Sequence, residues 1–359
     1  MCPHLMNAQR PQSIQQSRAS RANIRRTREI RRRQLRRRRA AVLTLLLVLL
    51  VISFEVLKPS HHANAPIQVT RIVKSNPYSP LPSPSTLDPL FHGAPASDGH
   101  WTPAGRISDH TSTVFTTLLH LPDQPTVAAG VAWMDSKLLV ARLYSGSYSP
   151  GGFTWKYTAP VTPEAAKTLD VAFNGGFLMK DSKGGYYAEG HYADPLMNGA
   201  ASLVIYKDGL IQIGSWGLDV RMTPSVVAVR QNLGLLINNG KLASNISPTD
   251  TYQWGTSLNQ VVDTWRSGVG ITANGALVYA YGPMNVLDLA DVLKQAGAVR
   301  AMVLDMNPAW TVFASYKPSA ADGLASAANG LSLLPNAANG PSRFFTPSYA
   351  RDFLTLSIR

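Results

Sequence analysis

The chain has one cysteine, Cys2, among its 359 residues. A single thiol excludes an intrachain disulfide and the zinc sites that need paired cysteines, so the fold must depend on its hydrophobic core. The chain also lacks a Gly-x-Ser-x-Gly motif, a His-Glu-x-x-His motif and a P-loop. These absences exclude several common hydrolase mechanisms and the usual nucleotide-binding loop.

Acidic residues are nearly missing from the first forty positions, which hold 13 arginines and one glutamate. The excess positive charge there is 12, out of +13 for the whole chain. Nucleic-acid binding is one interpretation of such a segment. We favour a topology signal that also contacts anionic lipid headgroups, because the arginines end where an apolar run begins. No nucleic-acid partner is predicted.

That apolar run predicts a membrane segment over residues 40–57, with residues 1–39 as a basic cytoplasmic tail. It is shorter than the roughly 20 residues that usually span a bilayer, but a short helix can suffice. A cleaved signal peptide is the alternative, since 63–65 reads Ala-Asn-Ala. The long leader favours an uncleaved signal anchor, which predicts a single-pass cell-membrane protein with an extracytoplasmic C-terminal domain.

Residues 58–105 are rich in proline, serine, histidine and alanine, with nine prolines among them. Such a composition buries little apolar surface and favours extended polyproline geometry. We therefore expect a linker that holds a globular domain, residues 106–359, away from the membrane.

Within 106–359 three dipeptides separate short apolar runs, namely Asp208-Gly209, Asn239-Gly240 and Asn274-Gly275. Asp-Gly and Asn-Gly accept the positive φ angles of tight turns, so they predict three antiparallel hairpins. Helices are few. The best candidate is Val286–Ala296, whose apolar residues recur at helical spacing after the capping residue Asn285.

Two segments share the order helix, short loop, apolar strand and polar tip. In the first, Pro163–Leu169 leads into a strand that ends at Asn174; in the second, Val286–Ala296 leads into a strand that ends at Asp305. Together with the hairpins, this order predicts an α+β fold. Its sheets should be mixed but largely antiparallel, with a few helices on one face, preceded by one N-terminal transmembrane helix.

The polar tips are the candidate site. Asn174, Gly175 and Gly176 could present backbone N–H groups to an anion or a sugar oxygen, or could simply end a strand. Arg266 could offer its planar fork to phosphate or carboxylate, with Arg230 as a weaker candidate. A structural ion pair is the alternative for either arginine.

Carboxylates supply the remaining candidates. Asp305 follows an apolar strand, so burial could raise its pKa and suit it to acid–base work, and Asn307 and Trp310 follow it closely. Glu189 and His191 lie in an aromatic-rich loop that would also suit a carbohydrate site. The alternatives are a turn cap beside a core tryptophan for the first group and a solvated loop for the second.

Taken in order, these segments resemble the phosphodiester glycosidase family. The resemblance rests on Asn174–Phe177, Arg266–Ile271, Asn274–Leu277, the helix Val286–Gln295 and the strand Ala298–Asp305, and covers roughly 165–315. It differs at the loop after Asp305, where the family has three glycines and a serine and this chain has Met-Asn-Pro-Ala-Trp.

The resemblance implies a hydrolase that cleaves the glycosidic bond to a phosphodiester in a glycan or envelope polymer. Asp305 would be the catalytic carboxylate, with Glu189 second. The expected substrate-binding residues are Asn174, Gly175, Gly176, His191, Arg230, Arg266, Asn307 and Trp310. We predict no cofactor and no metal. The altered loop supports an alternative, a non-catalytic glycan-binding or polysaccharide-export module of the same fold.

Overall fold

The computed structural model describes residues 79–359, except 152–153, 256–260 and 321–322. The predicted cytoplasmic tail, the predicted membrane segment and the first part of the predicted linker lie outside these residues. Among the residues described, no helix is both long and apolar enough to cross a membrane. The described part belongs to one unit that spans Val73–Arg359.

Antiparallel sheets dominate this unit, as the sequence predicts. Every pairing between its named strands is antiparallel, and parallel contacts occur only as isolated bridges. In chain order the strands are β1 (Thr102–Pro103), β2 (Ile107–Ser108), β3 (Thr111–Ser112), β4 (Val114–Leu121), β5 (Gln124–Met134), β6 (Leu139–Tyr144), β7 (Leu169–Asn174), β8 (Tyr186–Ala188), β9 (His191–Asp194), β10 (Ala201–Tyr206), β11 (Ile211–Ser215), β12 (Val226–Gln231), β13 (Leu235–Asn238), β14 (Lys241–Leu242), β15 (Thr264–Thr272), β16 (Leu277–Met284), β17 (Ala298–Met306), β18 (Phe313–Tyr316), β19 (Gly330–Leu331) and β20 (Phe353–Ile358).

Three larger sheets and one small hairpin result. The largest has the strand order β1-β4-β5-β16-β15-β17-β13-β14, a second has the order β11-β10-β12-β8-β9, and a third has the order β19-β18-β7-β20-β6. The three predicted hairpins are confirmed as β10–β11, β13–β14 and β15–β16. Their turns form where glycine follows Asp or Asn, with positive φ at Gly209, Gly240 and Gly275.

Helices are few and short. In the part of the chain that the structure describes they are α1 (Pro163–Ala166), α2 (Thr251–Trp254) and α3 (Val286–Gln295), with short 3₁₀ turns at Met179–Asp181, Ala327–Asn329 and Pro341–Phe345. The predicted helix α3 is confirmed, and Asn285 and Asp288 form a reciprocal capping box at its start. Its buried side, which includes Leu289 and Leu293, belongs to a core cluster shared with β16 and β17.

Residues 79–105 belong to this unit, although their composition predicts a linker. Leu81 is 7% exposed and joins a core cluster, and its N–H donates to Asp135 Oδ2 at 2.8 Å. β1 pairs with β4 at the edge of the largest sheet. Proline is compatible with this arrangement, because an edge strand leaves one side of its backbone unpaired.

The topology brings three distant chain segments together. β7 is buried along its whole length and ends at Asn174. In the largest sheet, Arg266 at the start of β15 pairs with Met306 at the end of β17. Asn174 Nδ2 donates to Ser267 Oγ at 2.9 Å, so the tips near residues 174, 266 and 305 meet, and β20 adds the segment that precedes Phe353.

A buried ion pair holds this meeting point together. Arg230 Nε donates to Asp352 Oδ2 at 2.7 Å and Arg230 Nη2 donates to Asp352 Oδ1 at 3.1 Å, and both side chains are fully buried. The pair joins β12 of the second sheet to the entry of β20 in the third. Breaking such a pair by removing one charge leaves the other charge buried without compensation.

We therefore predict that Asp352→Asn lowers the free energy of unfolding by about 3 kcal/mol or more. Urea-induced unfolding measures the change. The matched control is Glu164→Gln, which removes the carboxylate of the exposed Glu164–Lys167 pair and should cost less than about 0.5 kcal/mol. Equal effects of the two substitutions would contradict a structural role for the buried pair.

Candidate active site

Asp305 lies at the end of β17, with its carboxyl group in the wall of a cavity of about 700 Å³. The side chain is 3% exposed. Burial raises its pKa to about 7, against the opposing effects of Arg351 and the Met306 N–H. A carboxyl group with such a pKa exists in both protonation states near neutral pH, which suits proton transfer.

Arg351 is the ion-pair partner of Asp305, and the sequence analysis does not single it out. Its Nη2 lies 2.5 Å from Asp305 Oδ2 and 3.1 Å from the Gly176 carbonyl oxygen. Its Cζ lies 5.2 Å from the centroid of the Trp310 ring. The only signal in the sequence is that Arg351 and Asp352 come directly before the buried strand β20.

Asn174 lies beneath the cavity and is not among the residues that line it. Its Nδ2 donates to Ser267 Oγ at 2.9 Å, and that hydroxyl donates to the Asp305 carbonyl oxygen at 2.9 Å. Its Oδ1 accepts from the Tyr279 hydroxyl at 2.7 Å and the Val312 N–H at 3.1 Å. The predicted substrate-binding amide therefore fixes the backbone at Asp305.

The glycines and Arg230 are also structural. Gly175 N–H donates to the Asp352 carbonyl oxygen at 2.8 Å, and a Cβ there would lie 2.0 Å from Asp352 Oδ2. A Cβ on Gly176 would lie 2.9 Å from Arg230 Cζ. Arg230 also donates to the carbonyl oxygens of Gln231 and Phe177, so every nitrogen of its guanidinium has a protein partner. Arg230 is not among the residues that line the cavity, and its role in binding phosphate stays a prediction.

Arg266 is 2% exposed and lies behind the cavity wall. Its Nη1 donates to the Trp254 carbonyl oxygen at 3.3 Å, and the same nitrogen lies 3.8 Å from Met306 Sδ. Desolvation lowers its pKa to about 10. Because Met306 and Gly255 line the cavity and Arg266 does not, this arginine contributes positive charge to the site from beneath and does not contact its open space.

The loop after Asp305 shapes the cavity. Asn307 has a φ of +115°, a conformation that favours glycine, and its Oδ1 accepts from the Ala309 N–H at 2.9 Å. Asn339 Nδ2 donates to the carbonyl oxygens of Pro308 and Ala309 at 3.2 Å and 2.7 Å. Of the predicted site residues, Asp305, Asn307 and Trp310 line the cavity.

Other residues of the cavity suit an anionic sugar. Phe177, Tyr252 and Trp310 offer aromatic surface. The charged residues of the lining are the cations Lys180, Lys183 and Arg351 and the carboxyl groups Asp181 and Asp305. Lys183 donates to the Tyr252 carbonyl oxygen, and its ammonium lies 3.5 Å from the centroid of that ring. Aromatic rings with a few polar groups form a typical small-ligand site, and the cations favour a ligand with negative charge.

Glu189 and His191 do not join this cavity. Glu189 lines a separate cavity, where its carboxylate accepts the N–H groups of Lys156 and Tyr157 at 2.8 Å and 2.9 Å. His191 is exposed on β9 and lines neither of these two cavities. The mixture of aromatic and titratable residues in this segment predicts a carbohydrate site, but β8 and β9 belong to the second sheet. Glu189 and Asp305 therefore line different cavities, and a catalytic role for Glu189 stays a prediction.

Metal ligation has no support in the geometry of the described residues. They contain no group of three or more His, Cys, Asp or Glu side chains placed to hold an ion. Proton transfer at Asp305 and charge stabilisation by Arg351 are the chemistry that this arrangement offers.

Residues 167–318 match the model of the phosphodiester glycosidase family. The match confirms the resemblance inferred from the ordered motifs. It includes Asn174, Arg266 and Asp305 and ends before Arg351, so the ion-pair partner of Asp305 comes from outside the matched region.

Solved structures show weaker likenesses. A zebrafish N-acetylglucosamine-1-phosphodiester alpha-N-acetylglucosaminidase catalytic domain, auto-inhibited by its pro-peptide, is 17% identical with a TM-score of 0.46; the alignment covers 71% of this chain and 87% of that one. A hypothetical protein from Synechocystis is 12% identical over 72% and 64% of the two chains, with a TM-score of 0.41. A putative exported protein from Burkholderia pseudomallei is 10% identical over 64% and 74%, with a TM-score of 0.32. No curated protein matches the chain.

The Arg351–Asp305 ion pair leads to a test of the electrostatics of Asp305. We predict that Arg351→Gln raises the pKa of Asp305 further, because it removes the largest influence that lowers this pKa. Carbon-13 NMR titration of the Asp305 carboxyl group measures it. Arg343→Gln is the matched control, since Arg343 stacks on Trp310 but is not among the groups that shift Asp305. A lower midpoint in Arg351→Gln than in the parent chain would contradict the pairing.

Proposed function

We propose that this domain hydrolyses the bond between a sugar and a phosphodiester in a glycan or cell-envelope polymer. The observation that carries the proposal is Asp305, a buried carboxyl group of raised pKa beside Arg351 in the wall of an aromatic, cationic cavity. The family match over residues 167–318 supports the same reaction class.

Arg351 is suited to bind the phosphate of such a substrate. It is already in the cavity wall, and its planar fork can engage a phosphate while Asp305 remains nearby. Lys180 and Lys183 line the same cavity and add charge at its exposed side. Trp310, with two arginines over its ring, offers a flat surface for the sugar.

Asp305 would act as a general base. A water molecule attacks the anomeric carbon and transfers its proton to the Asp305 carboxylate. The bond from that carbon to the phosphate oxygen breaks, and its electron pair leaves with a phosphomonoester. Because phosphate is a good leaving group, activating the water and stabilising the departing charge are the main demands on the protein.

The sequence supports an extracytoplasmic, membrane-anchored location for this activity. The arginine-rich residues 1–39 directly precede the apolar run 40–57, and positive flanks stay on the cytoplasmic side. An anchor followed by a linker would place the domain beside envelope polymers. The cell membrane, with the N-terminus inside, is therefore the proposed location.

One observation favours a second candidate, a non-catalytic glycan-binding or polysaccharide-export module. Both Asp305 oxygens already have partners, Arg351 Nη2 for Oδ2 and the Met306 N–H for Oδ1. Catalysis needs Asp305 to reach a water molecule through a remaining lone pair. Titration calorimetry with glycosyl phosphodiesters, alongside a hydrolysis assay, separates the candidates, since binding without turnover across several substrates supports the module.

We predict that Asp305→Asn lowers kcat for a sugar-1-phosphodiester by about 10²–10⁴-fold, the usual contribution of a general base. Release of free sugar measures the rate, and thermal unfolding shows that the variant is folded. Asp123→Asn, an exposed carboxylate, is the matched control and should stay within twofold of the parent. Unchanged turnover in Asp305→Asn would remove Asp305 from the mechanism.

The raised pKa also fixes the sign of the pH dependence. A general base must be ionised, so kcat/KM should rise with pH through the Asp305 pKa of about 7 and then level off. The residual activity of Asp305→Asn should lack this limb. A rate that falls through pH 7 would instead assign Asp305 as a general acid.

A further inference from the structure

A second cavity, which we call the tyrosine cleft, lies apart from the Asp305 site. Its volume is about 420 Å³, and it shares no lining residue with the larger cavity. Its walls come from β6, the loop before α1, β8 and the β8–β9 turn, β10 and the β10–β11 turn, and β12. The residues that define it here are Arg142, Lys156, Tyr157, Glu189, Tyr206 and Lys207.

The charges of the tyrosine cleft are unbalanced. Arg142, Lys156 and Lys207 are cationic, and none forms a salt bridge with a carboxylate among the described residues. Glu189 is the acidic residue of the cleft, and both its oxygens accept backbone N–H groups. The cleft therefore has more positive charge than its own carboxylate can neutralise, which favours an anionic ligand.

Aromatic surface lies directly beside these cations. Arg142 Cζ and Lys156 Nζ each lie 5.3 Å from the centroid of the Tyr157 ring. Tyr206, the last residue of β10, adds a second half-buried ring whose hydroxyl donates to Gln212 Oε1 at 3.0 Å. Flat rings beside cations fit a ligand that has both a sugar ring and a negative group.

Hydrogen bonds of Glu189 join two walls of the tyrosine cleft. Glu189 has a φ of +52°, a left-handed conformation that is uncommon for a non-glycine residue. Its carboxylate fixes the backbone at Lys156 and Tyr157, which places the Tyr157 ring in the cleft. The backbone of Arg142 on β6 is fixed by its pairing with Thr355 on β20. Glu189 is thus a positioning residue for the cleft.

We propose that the tyrosine cleft binds an anionic sugar unit of the polymer, distinct from the unit cleaved at Asp305. The proposal rests on the proposed function in one respect, namely that the ligand is the polymer cleaved at Asp305. It narrows the substrate class to glycans that carry negatively charged groups along the polymer. Carboxylate and phosphate share the chemistry that these cations recognise. Binding at two separated positions would raise the overall affinity for a polymer above that for a single sugar.

The test is titration calorimetry on the full-length chain with three probes. Trigalacturonate supplies carboxylates, glucose 6-phosphate supplies a phosphate, and maltotriose is the neutral reference. At least one anionic probe should bind tenfold or more tightly than maltotriose. In Arg142→Gln/Lys156→Gln that affinity should fall tenfold or more, whereas Lys241→Gln/Lys317→Gln, which removes two exposed charges elsewhere, should stay within twofold of the parent.

Three results would overturn the proposal: no preference for either anionic probe, unchanged binding in Arg142→Gln/Lys156→Gln, or an equal loss in the control. If the double variant does not fold, chemical-shift changes at the Tyr157 and Tyr206 rings of the parent chain decide the matter, and their absence on saturation with the probe refutes the cleft. None of these probes requires turnover. A failure of hydrolysis would therefore count against the proposed function and not against the cleft.

Discussion

The consecutive residues Arg351 and Asp352 impose the constraint on which the site depends. Asp352 pairs with Arg230 of the second sheet, and Arg351 pairs with Asp305 of the largest one. Each pair is buried, so neither charge can turn to solvent without leaving its partner uncompensated. The entry of β20 therefore fixes three sheets at one point, and that point is the wall of the cavity.

The same constraint explains why glycine occupies two neighbouring positions. Gly175 leaves the space that the Asp352 carboxylate fills, and Gly176 leaves the space for the Arg230 guanidinium. A larger residue at either position would push apart the ion pair that joins the sheets. The motif Asn-Gly-Gly is thus needed for close packing beneath the site. The same motif is typical of ligand-binding turns, which is why its sequence predicts direct contact with the substrate.

The altered loop after Asp305 keeps part of the geometry of a glycine-rich turn. Asn307 takes a φ of +115° where most side chains would be strained, and Asn339 holds the loop through two carbonyl oxygens. The largest side chain of this loop is Trp310, whose ring lies beside the guanidinium groups of Arg351 and Arg343. Trp310 therefore gives the cavity an aromatic wall, and Asp305 lines the same cavity.

The sequence by itself determined the local elements. Asn-Gly and Asp-Gly turns set the hairpins, helical spacing and Asn285 set α3, and ordered motifs indicated the family, because each is a property of a few neighbouring residues. Only the tertiary structure decided which polar side chains face the cavity. Arg351 is 46 residues from Asp305 along the chain, and Glu189 accepts from backbone 32 and 33 residues away. Such partners follow from strand order and register across separate sheets. Arg230 and Asn174 therefore make structural hydrogen bonds beneath the site, and Glu189 lines the tyrosine cleft. Arg351 lines the Asp305 cavity although no sequence motif indicates it.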